Sequence, residues 1–287
     1  MSSPHPAPTD DELLAAARTG DRDAVEALIV RHQPQVYRFA LRSCADAESA
    51  KDVLQETLLA LARSVQTFRG EATLSTWLYT VARNGCLRLR RRRKFAPVWE
   101  ESLETLAEGQ LDALASPARG PDEQLADREQ RDTVDAALDT LDPGQREVLV
   151  LRDIEGLTAP EVAAVTRLSV DAVKSRLHRA RVALRRELVS RLAPAAPESA
   201  EKVADALPGA KPCRDVLDLF SRHLDDDLTS ESCAELDAHL AACEGCRGRC
   251  ASLRQVLTLC RSAPTPALPA DVDQSVRQAI REYLNGR

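Results

Sequence analysis

Apolar residues recur every three or four positions in the first third of the chain, which is the period of one face of an α-helix. The clearest stretches hold Val53, Leu54, Leu58 and Leu61, and then Leu74, Trp77, Leu78 and Val81. The pattern predicts four helices between residues 10 and 95. Aromatic residues make up only 3% of the chain, which favours an all-α fold over a β-sandwich or barrel.

Helix start signals are especially clear between residues 142 and 170. Asp142 and Pro143 provide an N-cap and a first-turn proline, residues 158–161 form a capping box, and Ser169 caps a long helix. Two helices joined by a short turn form a helix-turn-helix, in which the start of the second helix faces base edges and phosphates. The DNA-binding candidates on that helix are Lys174, Ser175, Arg176, His178 and Arg179. The alternative is a plain helical hairpin with solvated basic side chains.

Changes in composition divide the chain into folded modules and connecting segments. We expect a disordered tail at residues 1–9, a helical domain at 10–95, an acidic linker at 96–121, a second helical domain at 122–192, an Ala/Pro-rich tether at 193–212, a Cys-rich module at 213–262 and a tail with a short helix at 263–287. The linker has too few large apolar side chains to fold compactly, and the tether is expected to be semi-rigid.

Charge is strongly segregated along the 287 residues, although the formal net charge is only -6. Residues 83–94 hold seven basic side chains and no acid, and residues 174–191 hold seven basic side chains against Glu187 alone. Residues 213–245 hold nine acids and two arginines. The two basic stretches predict two contacts with nucleic acid, and the acidic stretch is expected to be attracted to them. The alternative is that the basic stretches are ordinary solvated helix faces.

Six of the eight cysteines lie between residues 213 and 260. The sequence shows neither an export signal nor an apolar run long enough to span a membrane. We therefore expect a cytoplasmic protein whose thiols stay reduced, so that the cluster serves metal ligation or redox sensing rather than structural disulfides.

The Cys-rich module contains a spacing typical of a zinc site. His239 and Cys243 are four residues apart on a predicted helix, and Cys246 follows after a turn. Cys213 is the natural fourth ligand, which gives the tetrahedral Cys3His set of a structural zinc ion. The alternative is that these cysteines are buried as small apolar residues.

Three further cysteines, Cys233, Cys250 and Cys260, exceed what one zinc site needs. They are candidates for a sensing site that takes a thiophilic metal such as copper, cadmium or further zinc, or that is oxidised to disulfides. His223 is also available nearby. The alternative is that the three thiols pack in a small core.

Several motifs together resemble one family. Residues 141–149, 156–163 and 173–184 resemble region 4 of the extracytoplasmic-function sigma factors, residues 50–61 resemble region 2.2, and residues 68–84 resemble regions 2.3 and 2.4. The resemblance covers about residues 10–192. The segment that begins at Cys213 resembles the zinc-binding anti-sigma domain. The fold implied is all-α, with a region 2 bundle, a region 4 helix-turn-helix and a small helical zinc-binding domain.

The resemblance also implies roles for individual residues of the first domain. Asp52, Gln55 and Glu56 would bind the RNA polymerase core, although without the resemblance they would be an ordinary exposed helix face. The residues implied to act at the promoter minus-10 element or on its phosphates are Trp77, Tyr79, Asn84, Arg88, Arg91 and Arg92. The periodicity alone favours a core position for Trp77.

The function implied is that of a sigma factor that directs RNA polymerase core to promoter DNA, with a regulator fused in cis. The arrangement resembles a group of sigma factors whose Cys-rich domain responds to copper or other heavy metals. The alternatives are a thiol-redox sensor on the same sigma factor, or a metal-binding scaffold with no role in transcription. We do not expect an enzyme, because the sequence has no Gly-rich phosphate loop and a four-ligand zinc site leaves no open position for catalysis.

Overall fold

The computed structural model describes residues 8–44, 46–95, 121–192, 213, 216–264 and 268–285. All regular elements in these segments are helices, which confirms the all-α prediction. None of the described helices is both long enough and apolar enough to cross a bilayer. Three of the predicted segments lie wholly or partly outside the described residues. These are residues 1–7 of the N-terminal tail, residues 96–120 of the linker, and the whole tether at residues 193–212.

The helices are, in chain order, α1 (Asp10–Arg18), α2 (Arg22–Ser43), α3 (Ala47–Ser64), α4 (Leu74–Phe95), α5 (Pro121–Asp139), α6 (Pro143–Leu149), α7 (Ala159–Thr166), α8 (Val170–Leu192), α9 (Val216–His223), α10 (Ser230–Ala242), α11 (Glu244–Ser262) and α12 (Ala270–Asn285). A short 3-10 helix, Val65–Thr67, follows α3. The chain forms two compact units. The first unit comprises Met1–Pro121 and Thr265–Arg287, and the second comprises Asp122–Pro264.

The first unit contains the four helices predicted from the apolar period, together with α12. Local signals set the helix starts: Thr9 and Glu12 form a capping box at α1, and the Asp21 carboxylate accepts two backbone N–H groups at α2. The apolar faces of α2, α3 and α4 pack together, and Phe39, Leu54 and Leu78 at their centre are fully buried. Burial of these faces positions the polar residues of α3 and α4 on the outside.

A disulfide joins the C-terminal end of α2 to α4. It links Cys44 to Cys86, which are 42 residues apart in sequence and have Cα atoms 5.0 Å apart. The sequence predicts reduced thiols, and the packing of α2 on α4 is what brings this pair together. The six cysteines of the Cys-rich module form no disulfide.

The second unit contains the predicted helix-turn-helix, which the structure confirms. Helix α6 continues past Leu149 as a π-helical turn, Val150–Ile154, which is wider than a turn of α-helix. Helix α7 begins with the Thr158–Glu161 capping box and is followed by Arg167, whose φ of 59° turns the chain toward α8. Helix α8 then packs across α6 and α7.

The Cys-rich module forms the rest of the second unit. Its helices α9, α10 and α11 enclose a small apolar core built around Phe220, Leu236, Leu253 and Leu257. Helices α9 and α11 also pack against α8, and α11 contacts the π-helical turn. The module therefore lies directly on the helix-turn-helix.

Candidate nucleic-acid interface and metal centre

The four predicted zinc ligands come together in the Cys-rich module. The ligand atoms of Cys213, His239, Cys243 and Cys246 all lie within 4.8 Å of one another. The Sγ of Cys213 is 3.9 Å from Nε2 of His239 and 4.0 Å from Sγ of Cys243. Tetrahedral zinc with such ligands separates them by about 3.6–3.8 Å, so these two pairs need only a small contraction to share the ion.

The surroundings of the cluster shift the pKa values of two of its thiols in opposite directions. The backbone N–H of Cys246, at the start of α11, donates to Cys243 and lowers the pKa of that thiol. Burial raises the pKa of the Cys246 thiol to about 12, so a cation is needed to make it a thiolate at neutral pH. Nη2 of Arg249 donates to the Cys246 sulfur over 3.1 Å, which partly balances the negative charge of a three-thiolate site.

Acidic residues of the Cys-rich module contact the predicted DNA-reading helix α8. Nζ of Lys174 donates to Asp227 over 2.6 Å. Nδ1 of His178 lies 3.7 Å from the Asp218 carboxylate, but burial lowers the pKa of His178, so this contact at neutral pH involves an uncharged imidazole. Two of the five predicted DNA-binding residues of α8 are thus in contact with the module.

A buried arginine joins the helix-turn-helix to the Cys-rich module. Arg181 is 1% exposed, and it donates to both oxygens of Asp153 (2.7 and 2.8 Å) and to both oxygens of Asp225 (2.8 and 3.0 Å). It also donates to the backbone carbonyl and hydroxyl of Ser221. Burial opposes a charge on Arg181, but the two carboxylates raise its pKa above the ordinary value, so it remains a cation.

Two outer contacts extend this interface. Nε of Arg185 donates to Ser252 over 2.6 Å, and Nε of Arg261 donates to the backbone carbonyl of Asp153 over 2.9 Å. Lys174, His178, Arg181 and Arg185 follow one another at three- or four-residue steps along α8. The module therefore covers one stripe of α8.

The other predicted residues of α8 face elsewhere. Ser175 and Arg179 are exposed, and Nε of Arg179 donates to the Ser175 carbonyl. Arg176 is half-buried against the first turn of α6, where a Cβ atom on Gly144 would lie 3.0 Å from its Nη1. These three side chains therefore lie off the stripe of α8 that the module covers.

The predicted polymerase-binding residues lie on α3. Asp52 and Glu56 are exposed and Gln55 is half-buried. Glu56 forms an ion pair with Arg88 of α4, a residue predicted to contact DNA. Because both side chains are about half exposed, water screens this pair and it contributes little to stability.

The structure corrects one predicted residue of α4. Tyr79 is 2% exposed and its ring meets the edge of Phe39 at a centroid distance of 5.1 Å, so it belongs to the core rather than to a DNA-contacting surface. Trp77 is half-buried and packs edge-on against Phe68. The side chains of Asn84, Arg88, Arg91 and Arg92 are exposed.

The three additional cysteines occupy different environments. Cys250 and Cys260 are 3% and 1% exposed, and burial raises the pKa of Cys250 to about 11. Cys233 on α10 is half-buried, and its sulfur lies 3.8 Å from Nδ1 of His223 at the end of α9. Cys233 is thus the most accessible of the three, and it lies beside a second candidate ligand.

The sequence analysis missed the ionic network around Arg181. The feature of the sequence that indicates this network is the position of Arg181 in the apolar stripe of α8, in phase with Leu177, Leu184 and Leu188. A charged residue at such a position requires a buried counter-charge. The sequence does not show that Asp153 and Asp225 provide it, because they are 28 and 44 residues away.

Family comparisons agree with this architecture. The sigma-70 region 2 family matches residues 28–96, the sigma-70 region 4 family matches residues 131–184, and a zinc-finger family matches residues 213–247. The three matches follow the order of the α2–α4 bundle, the helix-turn-helix and the metal cluster along the chain.

Several sigma factors are similar to this chain over its first two thirds. The RNA polymerase sigma-H factor of Pseudomonas aeruginosa is 31% identical over 183 residues, which are 62% of this chain and 93% of that protein. The sigma factor CnrH of Cupriavidus metallidurans is 33% identical over 63% of this chain and 94% of its own length. The ECF sigma factor SigM of Mycobacterium tuberculosis is 33% identical over 63% of this chain and 85% of its own length. With both DNA-reading regions matched in order, the chain belongs to the extracytoplasmic-function (ECF) sigma factors of RNA polymerase.

Proposed function

We propose that this sigma factor is held inactive by its own Cys-rich module, which covers one side of the region 4 recognition helix α8. In this proposal Asp52, Gln55 and Glu56 bind core polymerase, the exposed residues of α4 contact the minus-10 element, and α8 contacts the minus-35 element. The observation that carries it is the pairing of Lys174 and Arg181 with Asp227 and Asp225. Lys174 cannot bind a DNA phosphate and the Asp227 carboxylate at once.

The contact between the Cys-rich module and α8 can be released without leaving a buried charge unpaired. When the module leaves, Arg181 keeps its bidentate pair with Asp153 of its own domain, so no uncompensated buried charge remains on region 4. Lys174 and Asp227 are each about one third exposed, and water can replace their pairing at small cost. A moderate change in the module is therefore sufficient to shift the equilibrium between covered and open α8.

The acidic turn offers a direct test. Replacing Asp225 and Asp227 with asparagine removes both carboxylates from α8, and we expect promoter-fragment affinity and transcription in vitro with core polymerase to rise about tenfold, within the usual range of such couplings. Asp226→Asn is the matched control, because Asp226 is exposed between them with a φ of 55° that asparagine tolerates. Unchanged DNA affinity in the double variant would contradict inhibition in cis. No transcription from any variant would favour the scaffold alternative.

We further propose that the signal is a thiophilic metal bound by Cys233 and His223. A sulfur and an imidazole nitrogen 3.8 Å apart need a shift of only about 0.2 Å to share one ion in tetrahedral geometry. His223 ends α9 and is followed directly by the turn that carries Asp225 and Asp227. A cation held there would shift the inhibitory carboxylates of Asp225 and Asp227, and its positive charge would weaken their attraction for the basic side chains of α8.

This sensing site predicts a second metal equivalent beside zinc. Zinc-loaded protein is titrated with Cd²⁺ or Cu⁺, and the expected result is one further equivalent in the wild type, lost in Cys233→Ser and in His223→Gln and retained in Cys260→Ser. Promoter binding should rise with the same titration. Soft metals are expected because thiolate ligands select them.

Two results would contradict this metal site. Retention of the second equivalent in both ligand variants would place the ion elsewhere. The second result concerns cells that carry a reporter gene under the promoter this protein recognises. If diamide activates that reporter while copper, cadmium and zinc do not, the thiol-oxidation alternative replaces metal sensing.

A further inference from the structure

One pair of cysteines lies outside the Cys-rich module, at the junction of α2 and α4. Cys44 and Cys86 are bridged with their Cα atoms 5.0 Å apart, which is within the range of about 4.4–6.8 Å that a disulfide requires. The six cysteines of the Cys-rich module are free thiols. Region 2 therefore has a thiol pair of its own, in a different compact unit from the predicted zinc site.

The packing of three helices fixes the positions of both cysteines. Cys44 caps the C-terminal end of α2, and its N–H donates to the Ala40 carbonyl over 2.8 Å. Cys86 follows Gly85, where a Cβ atom would lie 3.1 Å from a methyl group of Val53 on α3. Glycine at this position lets α4 approach α3 closely. The two sulfurs are thus brought within bonding range by helices that already pack together.

The two cysteines differ in their access to solvent. Cys44 is half-buried at the start of the connection to α3, whereas Cys86 is only 2% exposed. A second contact crosses the same junction, since Arg90 of α4 donates to the backbone carbonyl of Ser43. This hydrogen bond involves neither sulfur, so it also holds α4 at the end of α2 when the thiols are reduced. An oxidant in solution meets Cys44 first, and Cys86 is in place to complete the bridge.

The bridge closes a ring around the functional residues of region 2. The two cysteines are 42 residues apart in sequence, and the ring contains all of α3 and the first part of α4. The proposed polymerase-binding residues of α3 lie inside the ring, and Asn84 and Arg88 lie within two residues of Cys86. A disulfide across a long loop stabilises a domain mainly by restricting its unfolded chain. Oxidation therefore acts on the helices that are proposed to bind polymerase and DNA.

We infer that Cys44 and Cys86 form an oxidisable dithiol site, which reacts with hydrogen peroxide and then clamps α4 to the end of α2. The sequence predicts thiols that stay reduced, and disulfides formed under reducing conditions are usually transient. The dithiol is then the resting state, and the bridge is the response to an oxidant. The consequence for polymerase binding rests on the proposed function, whereas the thiol chemistry does not.

The reaction consumes one peroxide molecule for each bridge. The Cys44 sulfur attacks a peroxide oxygen, so that an S–O bond forms, the O–O bond breaks and one water leaves, with Cys44 left as a sulfenic acid. The Cys86 sulfur then attacks the Cys44 sulfur, and a second water leaves as the S–O bond breaks and the S–S bond forms. The thiols lose two electrons, the peroxide gains them, and both thiol protons end in the waters. A dithiol reductant reverses the bridge by thiol–disulfide exchange.

Peptide mapping tests the chemistry in the full-length, zinc-loaded protein. The reduced chain is treated with hydrogen peroxide, its remaining thiols are blocked, and it is digested with trypsin. The expected product is a cross-linked pair of peptides, residues 43–51 and 84–88, each of which holds one cysteine. Dithiothreitol should separate the pair.

Thermal unfolding tests the clamp. Tryptophan fluorescence follows the first unit, because Trp77 and Trp99 are the two tryptophans of the chain and both precede region 4. We expect the bridge to raise the unfolding midpoint by about 15 °C. Binding of core polymerase should persist to a correspondingly higher temperature in the oxidised protein than in the reduced one.

Two variants separate the bridge from the other thiols. Cys44→Ala should unfold in dithiothreitol at nearly the same temperature as the reduced wild type, and peroxide should not stabilise it. Cys260→Ser removes a thiol of the other compact unit, and it should form the bridge and gain stability as the wild type does. A purely structural role of the Cys44 side chain would instead lower the midpoint in both redox states.

The opposite results are equally clear. Absence of the cross-linked pair from peroxide-treated wild type would overturn the dithiol site. A bridged protein that unfolds and releases core polymerase at the same temperature as the reduced protein would overturn the clamp. If core polymerase binds neither form, the proposed roles of Asp52, Gln55 and Glu56 fail, while the cross-link and the unfolding midpoint still decide the redox site.

Discussion

Replacing Cys243 with serine is expected to unfold the Cys-rich module and to release one equivalent of zinc. The module has only a small apolar core, and its helices α9, α10 and α11 meet at the ligand cluster. Binding energy at a structural zinc site, with apparent values of about 10–16 kcal/mol in small zinc domains, is largely the folding energy of such a domain. Serine removes a thiolate that the other three ligands cannot replace.

The measurements are metal content and thermal unfolding of the purified chain. We expect the loss of one zinc equivalent and of the module's unfolding transition, with the helices of region 2 retained. Because the acidic turn is part of the module, promoter binding should also become constitutive. Cys260→Ser is the control, since this buried thiol lies outside the ligand cluster. An unchanged zinc content in Cys243→Ser would mean that other residues hold the ion.

The second large effect is expected from reversing the charges of Asp52 and Glu56 to lysine, which should abolish binding to core polymerase. Both side chains are exposed on α3, so their replacement leaves the apolar face of that helix intact. Glu56 pairs with Arg88 in a solvent-exposed contact, whose loss costs about 1 kcal/mol or less. A loss of binding would therefore reflect the docking surface and not the fold.

The control places the same charges elsewhere on the first unit. Asp11 and Glu71 are exposed acids outside α3, and Asp11→Lys with Glu71→Lys should bind core polymerase almost as the wild type does. Circular dichroism should be the same for both double variants. Full affinity in the Asp52 and Glu56 variant would remove the polymerase-binding assignment.

Local sequence patterns were sufficient for the helices and for the zinc cluster. The period of apolar residues, the caps at Asp142 and Thr158 and the turn before α8 depend on neighbours within one or two helical turns, and each has the predicted effect. The His239–Cys243–Cys246 spacing is equally local, and the resemblance to a known domain supported Cys213 as the fourth ligand. Interactions of this range involve residues that are close in the sequence, so they can be predicted without knowledge of the tertiary structure.

Only the tertiary structure decided which side chains are covered and by what. The resemblance to the sigma factors implies a DNA contact for Tyr79, yet Tyr79 is buried against Phe39 of another helix. Arg181 stands in the apolar stripe of α8, and only the fold shows that Asp153 and Asp225 enclose it. The packing of α12 against α3 also joins segments that are distant in the sequence. Such contacts depend on how helices pack in three dimensions, and the spacing of residues within one helix carries no information about its partner.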